Sequence, residues 1–219
     1  MNNYYILRVN EKEFFTILLP FTLELLEQWD HLTIIFHAKD HKQYPIFSDT
    51  QPIIIALDTL KSLLHRTLHT MPDLALKEDI GLVWNKYAHA VAIGGPHETL
   101  YDSLDLTQYL LFSMDKTEST WIYKKNHTVM LEITPRYPWH FREPEDPEPP
   151  ISFDHFLQTY KPYVVTALEH TTVAQWLDQV DTLLNITKRN DSYGVPKTKE
   201  FTLESQPPNL CLLHEDRNN

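Results

Sequence analysis

The sequence predicts an α+β fold, with a mainly antiparallel sheet and amphipathic helices packed on one of its faces. Predicted strands come in runs that helices separate irregularly, which is typical of α+β rather than doubly wound α/β proteins. With 42% hydrophobic and 12% aromatic residues, the 219-residue chain has enough apolar side chains to form a core. We expect a single domain over residues 1–187. Residues 188–219 are expected to form a polar tail that is either loose or strapped to the surface.

The centre of the predicted sheet is a β-hairpin over Trp121–Ile133. Leu131 and Ile133 are apolar, and they alternate with polar residues such as Glu132 and Thr134. A period of two is typical of a strand that buries one face and exposes the other, so we expect Glu132 and Thr134 to face water. The turn is consistent with a loop of two residues and equally with one of three or four.

Apolar runs in the N-terminal half predict four further strands, at residues 4–9, 14–19, 32–36 and 44–47. Residues 21–29 form either a helix or another strand, because their periodicity fits both. A helix is predicted over Ile53–His69, since apolar residues recur there at intervals of three and four. Residues 74–87 have a helical rhythm that Gly81 weakens, and residues 104–112 fit a strand or a short helix.

Two more helices are predicted near the end of the domain. Ser152 suits the N-cap of a short helix over Phe153–Thr159. Thr172 and Gln175 have the spacing of a capping box, which predicts the start of a longer helix. We expect this longer helix to back the sheet together with the Ile53–His69 helix.

The bulk composition limits the partners that we expect. The formal net charge of −11 disfavours nucleic acid, because nucleic-acid binders carry a basic face. The same charge suits a basic protein partner through steering of the encounter, although it is also typical of ordinary soluble proteins. A single cysteine, Cys211, and the lack of a long apolar run predict a soluble cytoplasmic protein without a membrane segment.

The sequence contains no common catalytic signature. Its four glycines form no phosphate-binding loop, dinucleotide fingerprint or nucleophile elbow, so we expect no cofactor. Two histidine pairs, His37 with His41 and His65 with His69, have a spacing that can hold zinc. We interpret both pairs as surface histidines and predict no metal site, since the charge of Arg66 would oppose a cation beside His65.

Gly94–Glu98 is the segment with most features of an unrecognised enzyme site. The paired glycines there free backbone amides to bind a ligand, and His97 or Glu98 could act as a base. A plain turn explains the same residues, and we therefore predict no catalytic residue.

The main candidate for a functional surface follows the hairpin. Trp139 and His140 precede an acidic, proline-rich segment, and such aromatic and charged residues are common in protein-recognition surfaces. The alternative is a structural role, in which the aromatic residues pin the end of the hairpin to the core. If Trp139 is buried, only the acidic rim remains for a partner. The predicted partner-binding residues are Trp139, His140, Arg142, Glu143, Glu145, Asp146 and Glu148.

Three segments of the C-terminal half, Thr120–Tyr123, Leu131–Trp139 and Tyr160–Tyr163, are similar to uncharacterised bacterial domains found near toxin loci. The resemblance implies an immunity-like protein and carries no catalytic motif. We therefore expect a non-enzymatic, acidic protein that neutralises or holds a basic protein partner. An enzyme with an unrecognised His/Glu site and a structural or assembly subunit are the alternatives.

Overall fold

A computed structural model describes residues 4–47, 52–94, 105–113, 117–140 and 149–192. Within these ranges, eight strands form two antiparallel sheets of four, each in the order of the chain, which confirms the predicted α+β class. The strands are divided between two sheets rather than placed in one. The first sheet contains β1 (Tyr4–Arg8), β2 (Phe14–Leu18), β3 (Thr33–His37) and β4 (Gln43–Phe47). The second contains β5 (Leu110–Ser113), β6 (Glu118–Lys125), β7 (Thr128–Pro135) and β8 (Val164–Leu168).

Each sheet is followed along the chain by a long helix, and these two helices pack against each other. An ion pair of 2.5 Å between Lys61 Nζ and Asp181 Oδ1 joins them at the surface. The apolar stripe of each helix is buried in the shared core, as the sequence predicts for both. The helices are α1 (Ile53–His69), α2 (Ile80–Ala92), α3 (Phe153–Thr159) and α4 (His170–Ser192), and a 3-10 helix covers Leu106–Tyr109.

The hairpin between β6 and β7 has a two-residue turn. Asn126 and His127 both have positive φ, at 50° and 63°, which is the backbone that a tight hairpin requires at both central positions. Asp73 holds this turn from outside, because its Oδ1 accepts the backbone N–H of His127 at 2.8 Å. The register therefore pairs Trp121 with Glu132 and Tyr123 with Met130.

Both faces of the β6–β7 hairpin are buried, so the prediction that Glu132 and Thr134 face water is wrong. Each of these side chains is 0% exposed. The reason is α2, which packs on their side of the sheet and brings Trp84 to within 6.0 Å of the Trp121 ring, between centroids. Periodicity along one strand cannot reveal a helix that arrives from elsewhere in the chain.

Several other predicted elements can be compared with the structure. Residues 21–29 form turns rather than a helix or strand, and β8 was not predicted. The predicted capping box is wrong, because α4 already begins at His170 and Thr172 lies inside it. The Ser152 cap is confirmed by a 3.2 Å bond from the His155 N–H. Beyond the predicted boundary at residue 187, α4 continues to Ser192, and residues 193–219 lie outside the described chain.

None of the helices in the described ranges has both the length and the apolar composition required to cross a membrane.

Replacing Gly81 by alanine should destabilise the protein. A Cβ at this position would lie 2.6 Å from both Thr134 Cβ and Tyr160 Oη, so α2 would have to move off the sheet. Overpacking of this kind costs about 1–3 kcal/mol. Urea unfolding of Gly81→Ala is expected to give a lower free energy of unfolding than wild type. If there were room for the methyl group, the higher helix propensity of alanine would instead raise the free energy of unfolding by about 1 kcal/mol. Such an increase would contradict the close approach of α2 to β7.

Candidate functional site

The chain leaving β7 is held against α2 by one buried amide. Asn85 Nδ2 donates to the carbonyls of Gly81 at 2.7 Å and Pro135 at 3.1 Å. Its Oδ1 accepts the backbone N–H of Tyr137 at 2.7 Å and lies 3.2 Å from His140 Nε2. The side chain is 1% exposed, so these contacts satisfy a polar group that would be costly to bury alone.

His140 lies in the interior beside this amide. Because Asn85 Oδ1 only accepts, the 3.2 Å contact assigns the proton of the neutral imidazole to Nε2. Burial lowers the pKa of His140 to about 4, and the positive charges of His89 and Arg136 act in the same direction. The ring is therefore neutral at pH 7. At 5% exposure, His140 is not available to a partner, so its prediction as a partner-binding residue is corrected.

Aromatic contacts hold the segment around α3 against α2 and the chain that leaves β7. The segment around α3 and this chain together form one wall of a cleft. Phe153 stacks on His89 with ring centroids 3.8 Å apart, and Tyr137 packs against both Phe153 and Phe156. The Tyr137 hydroxyl donates to the Ile151 carbonyl at 3.1 Å. These contacts position α3 across the chain that follows β7.

A cleft of about 570 Å³ lies between this wall and the β3–β4 turn of the first sheet. This volume is within the usual range for ligand-binding pockets. Tyr44, from β4, stacks on Tyr163, which immediately precedes β8, with centroids 5.3 Å apart and planes inclined by 17°. Six aromatic side chains of the described residues line the cleft: Tyr44, Tyr137, Trp139, Phe156, Tyr160 and Tyr163.

The charges in the cleft are mixed. Asp40 and Lys42, in the β3–β4 turn, form an ion pair of 3.1 Å. Glu118, at the start of β6, accepts a 2.6 Å hydrogen bond from the Thr117 hydroxyl. Arg136 and Lys161 are the other charged residues in the described part of the lining. The site therefore combines flat aromatic surfaces with charged groups of both signs, which is typical of a recognition surface.

A buried carboxyl group lies behind the wall but does not line the cleft. Glu132 Oε2 accepts the Tyr123 hydroxyl at 2.7 Å, and both this bond and the nearby backbone N–H of Gly81 lower the pKa of the carboxyl. Burial nevertheless raises the pKa of Glu132 to about 7, and the charge of Asp79 adds to this. Since Glu132 is 0% exposed, its role is in packing rather than in contact with a ligand.

The predicted surface is only partly described. Trp139 is half-buried and lines the cleft, so the condition that would leave only the acidic rim for a partner, a buried Trp139, is not met. The cleft's other aromatic residues were not predicted as site residues, although Tyr160–Tyr163 stands out in the sequence. The remaining predicted partner-binding residues lie outside the described chain: Arg142, Glu143, Glu145, Asp146 and Glu148. Cys211 and the two possible base residues, His97 and Glu98, also lie outside it.

The two histidine pairs differ in structure. His65 and His69 have ring centroids 4.6 Å apart on α1, while Arg66 Nη2 donates to the Gln108 carbonyl at 2.5 Å. His37 instead contacts Thr16 Oγ1 at 2.9 Å through Nε2, and burial lowers its pKa. Among the described residues, no three His, Cys, Asp or Glu side chains converge as a ligand set for a metal.

Comparison of the chain with known protein families, with curated proteins and with solved structures finds no match.

The Glu132 carboxyl should make stability depend on pH. Its pKa is about 7 in the folded protein and about 4.5 when unfolded, so the folded state binds more protons between these values. Stability from this group is complete below pH 4.5 and is lost as the pH rises through 7. From pH 5 to pH 8, the free energy of unfolding should fall by about 2–3 kcal/mol more in wild type than in Glu132→Gln.

Glu132→Gln is a matched control because it keeps the shape and an acceptor for Tyr123 while removing the titration. Denaturant unfolding of both proteins at several pH values gives the difference directly. Parallel pH profiles of the two proteins would show that Glu132 titrates normally.

Proposed function

We propose that this protein is a non-enzymatic, immunity-like binding protein that neutralises or holds a basic protein partner. The observation that carries the proposal is the cleft, where the stacked Tyr44–Tyr163 pair and Trp139 line one cavity. Large aromatic side chains in a concave surface are the usual anchors of protein interfaces. Tyr163 is 45% exposed, so part of its ring remains to be covered by a partner.

Charge supports a basic partner over an acidic one. The whole chain carries a formal net charge of −11, which would accelerate encounter with a cationic protein at low salt. Four carboxylates, at positions 143, 145, 146 and 148, follow Trp139 closely in the sequence. In the sequence, this acidic segment therefore begins four residues after Trp139, which lines the cleft. The same charge argues against nucleic acid as the partner.

The compartment that we propose is the cytoplasm. One cysteine in 219 residues provides no intramolecular disulfide, which suits a protein that works in a reducing environment. A bacterial immunity protein would meet its toxin there, and the resemblance of the three C-terminal segments to domains near toxin loci supports this assignment.

Removing the Trp139 ring should abolish capture of the partner. We expect the immobilised protein to retain a basic protein from a lysate of its source cells at low salt, and to release it at high salt, because screening weakens charge-steered pairs. Trp139→Ala should retain at least about tenfold less of that protein, the typical effect of losing an interface anchor.

Trp29→Ala is the matched control, because Trp29 is 71% exposed and lies outside the cleft. It should capture the partner as wild type does. Capture of no basic protein, or equal capture by Trp139→Ala and wild type, would contradict the proposed function.

A further inference from the structure

We infer that the partner anchors in the cleft through an arginine side chain, held by the Tyr44–Tyr163 pair and the Glu118 carboxylate. This inference rests on the proposed function and narrows it to the chemistry of one contact. The three residues come from β4, the start of β6 and the residue before β8, and all three line one cavity.

The tyrosine pair provides a flat surface for a planar cation. With planes inclined by only 17° and centroids 5.3 Å apart, the two rings stack on one another, which leaves their outer faces for a planar ligand, and Tyr163 is 45% exposed. A guanidinium group stacks on such a face through both cation–π attraction and its own planarity. An ammonium group has the charge but not the plane, so arginine fits this surface better than lysine.

The carboxylates of the lining favour a cation at the Tyr44 end of the cleft. Within the described ranges, no cationic side chain lies at ion-pair distance from Glu118, whose recorded bond is to the Thr117 hydroxyl. Burial raises the pKa of Tyr44, Lys42 opposes this shift, and the charges of Asp40 and Glu118 add to it. Both carboxylates therefore act on the Tyr44 hydroxyl.

Three cationic residues, Lys42, Arg136 and Lys161, also belong to the described lining. Lys42 is already paired with Asp40 at 3.1 Å. Arg136 also lines the cleft, and its charge is close enough to His140 to lower the pKa of that ring. Lys161 is exposed. A ligand cation at Glu118 would thus meet a carboxylate that has no ion-pair partner among the described side chains.

The backbone of the lining also favours a ligand rich in donors. Three prolines of the lining, at positions 135, 138 and 162, have no backbone N–H to donate to an anion, and the Pro135 carbonyl is already bonded to Asn85. An anionic ligand needs donors, whereas a guanidinium group brings five N–H donors of its own. The backbone of this lining is therefore better suited to arginine than to a carboxylate or phosphate.

Titration with short peptides tests the arginine anchor without the partner. The probes are acetyl-Gly-X-Gly-amide peptides in which X is arginine, lysine, citrulline or glutamate, and binding is followed by NMR shifts of the cleft residues at low salt. The arginine peptide should bind at least about fivefold more tightly than the citrulline peptide, which has the same shape without the charge. Glu118→Gln and Tyr163→Ala should each remove that preference.

Asp178→Asn is the matched control, because it removes one negative charge from the exposed surface of α4, outside the cleft. It should leave the arginine preference unchanged. Equal binding of arginine and citrulline, tighter binding of glutamate, or no peptide binding at millimolar concentration would overturn the inference. If Trp139→Ala abolishes capture of the basic partner while Glu118→Gln leaves it intact, the binding function stands and the arginine anchor falls.

Discussion

The close approach of α2 to β7 is the constraint on which the cleft depends. Gly81 lies against Thr134 and Tyr160 at a distance that leaves no room for a side chain. One turn later on α2, this approach brings Asn85 within reach of the chain that leaves β7, where its amide makes all the hydrogen bonds available to it. A glycine inside a helix weakens the helix by about 1 kcal/mol, and here the tighter packing offsets that cost.

The same approach explains why polar groups lie inside the second sheet. With α2 on their side, Glu132 and Thr134 lose contact with water and must find partners in the protein. Thr134 Oγ1 accepts the Trp121 indole N–H at 3.0 Å, and Glu132 accepts the Tyr123 hydroxyl. Glu132 Oε1 has no hydrogen-bond partner among the described residues, and burial raises the pKa of the carboxyl. A buried, hydrogen-bonded layer therefore supports the wall of the cleft.

Local sequence patterns predicted the elements better than their arrangement. The stripe of α1 and the cap of α3 depend on residues close in sequence, and both appear as expected. The face of β7 that α2 covers could not be deduced from β7 alone. The cleft could not be deduced from local sequence either, because Tyr44 and Tyr163 are 119 positions apart and meet only when both sheets have folded. Trp139 was identified because aromatic and acidic residues adjoin in the sequence, whereas the burial of His140 depends on Asn85, a residue on another helix.

Site-specific photo-crosslinking in the source cells tests most directly whether the cleft is the binding surface. A photoreactive phenylalanine replaces Tyr163 in the cleft or Trp29, which is more exposed and lies elsewhere. Our account predicts that position 163 gives a covalent adduct with a basic protein and that position 29 does not. An adduct at position 29 with none at position 163, or an adduct at position 163 with an acidic protein, would contradict it.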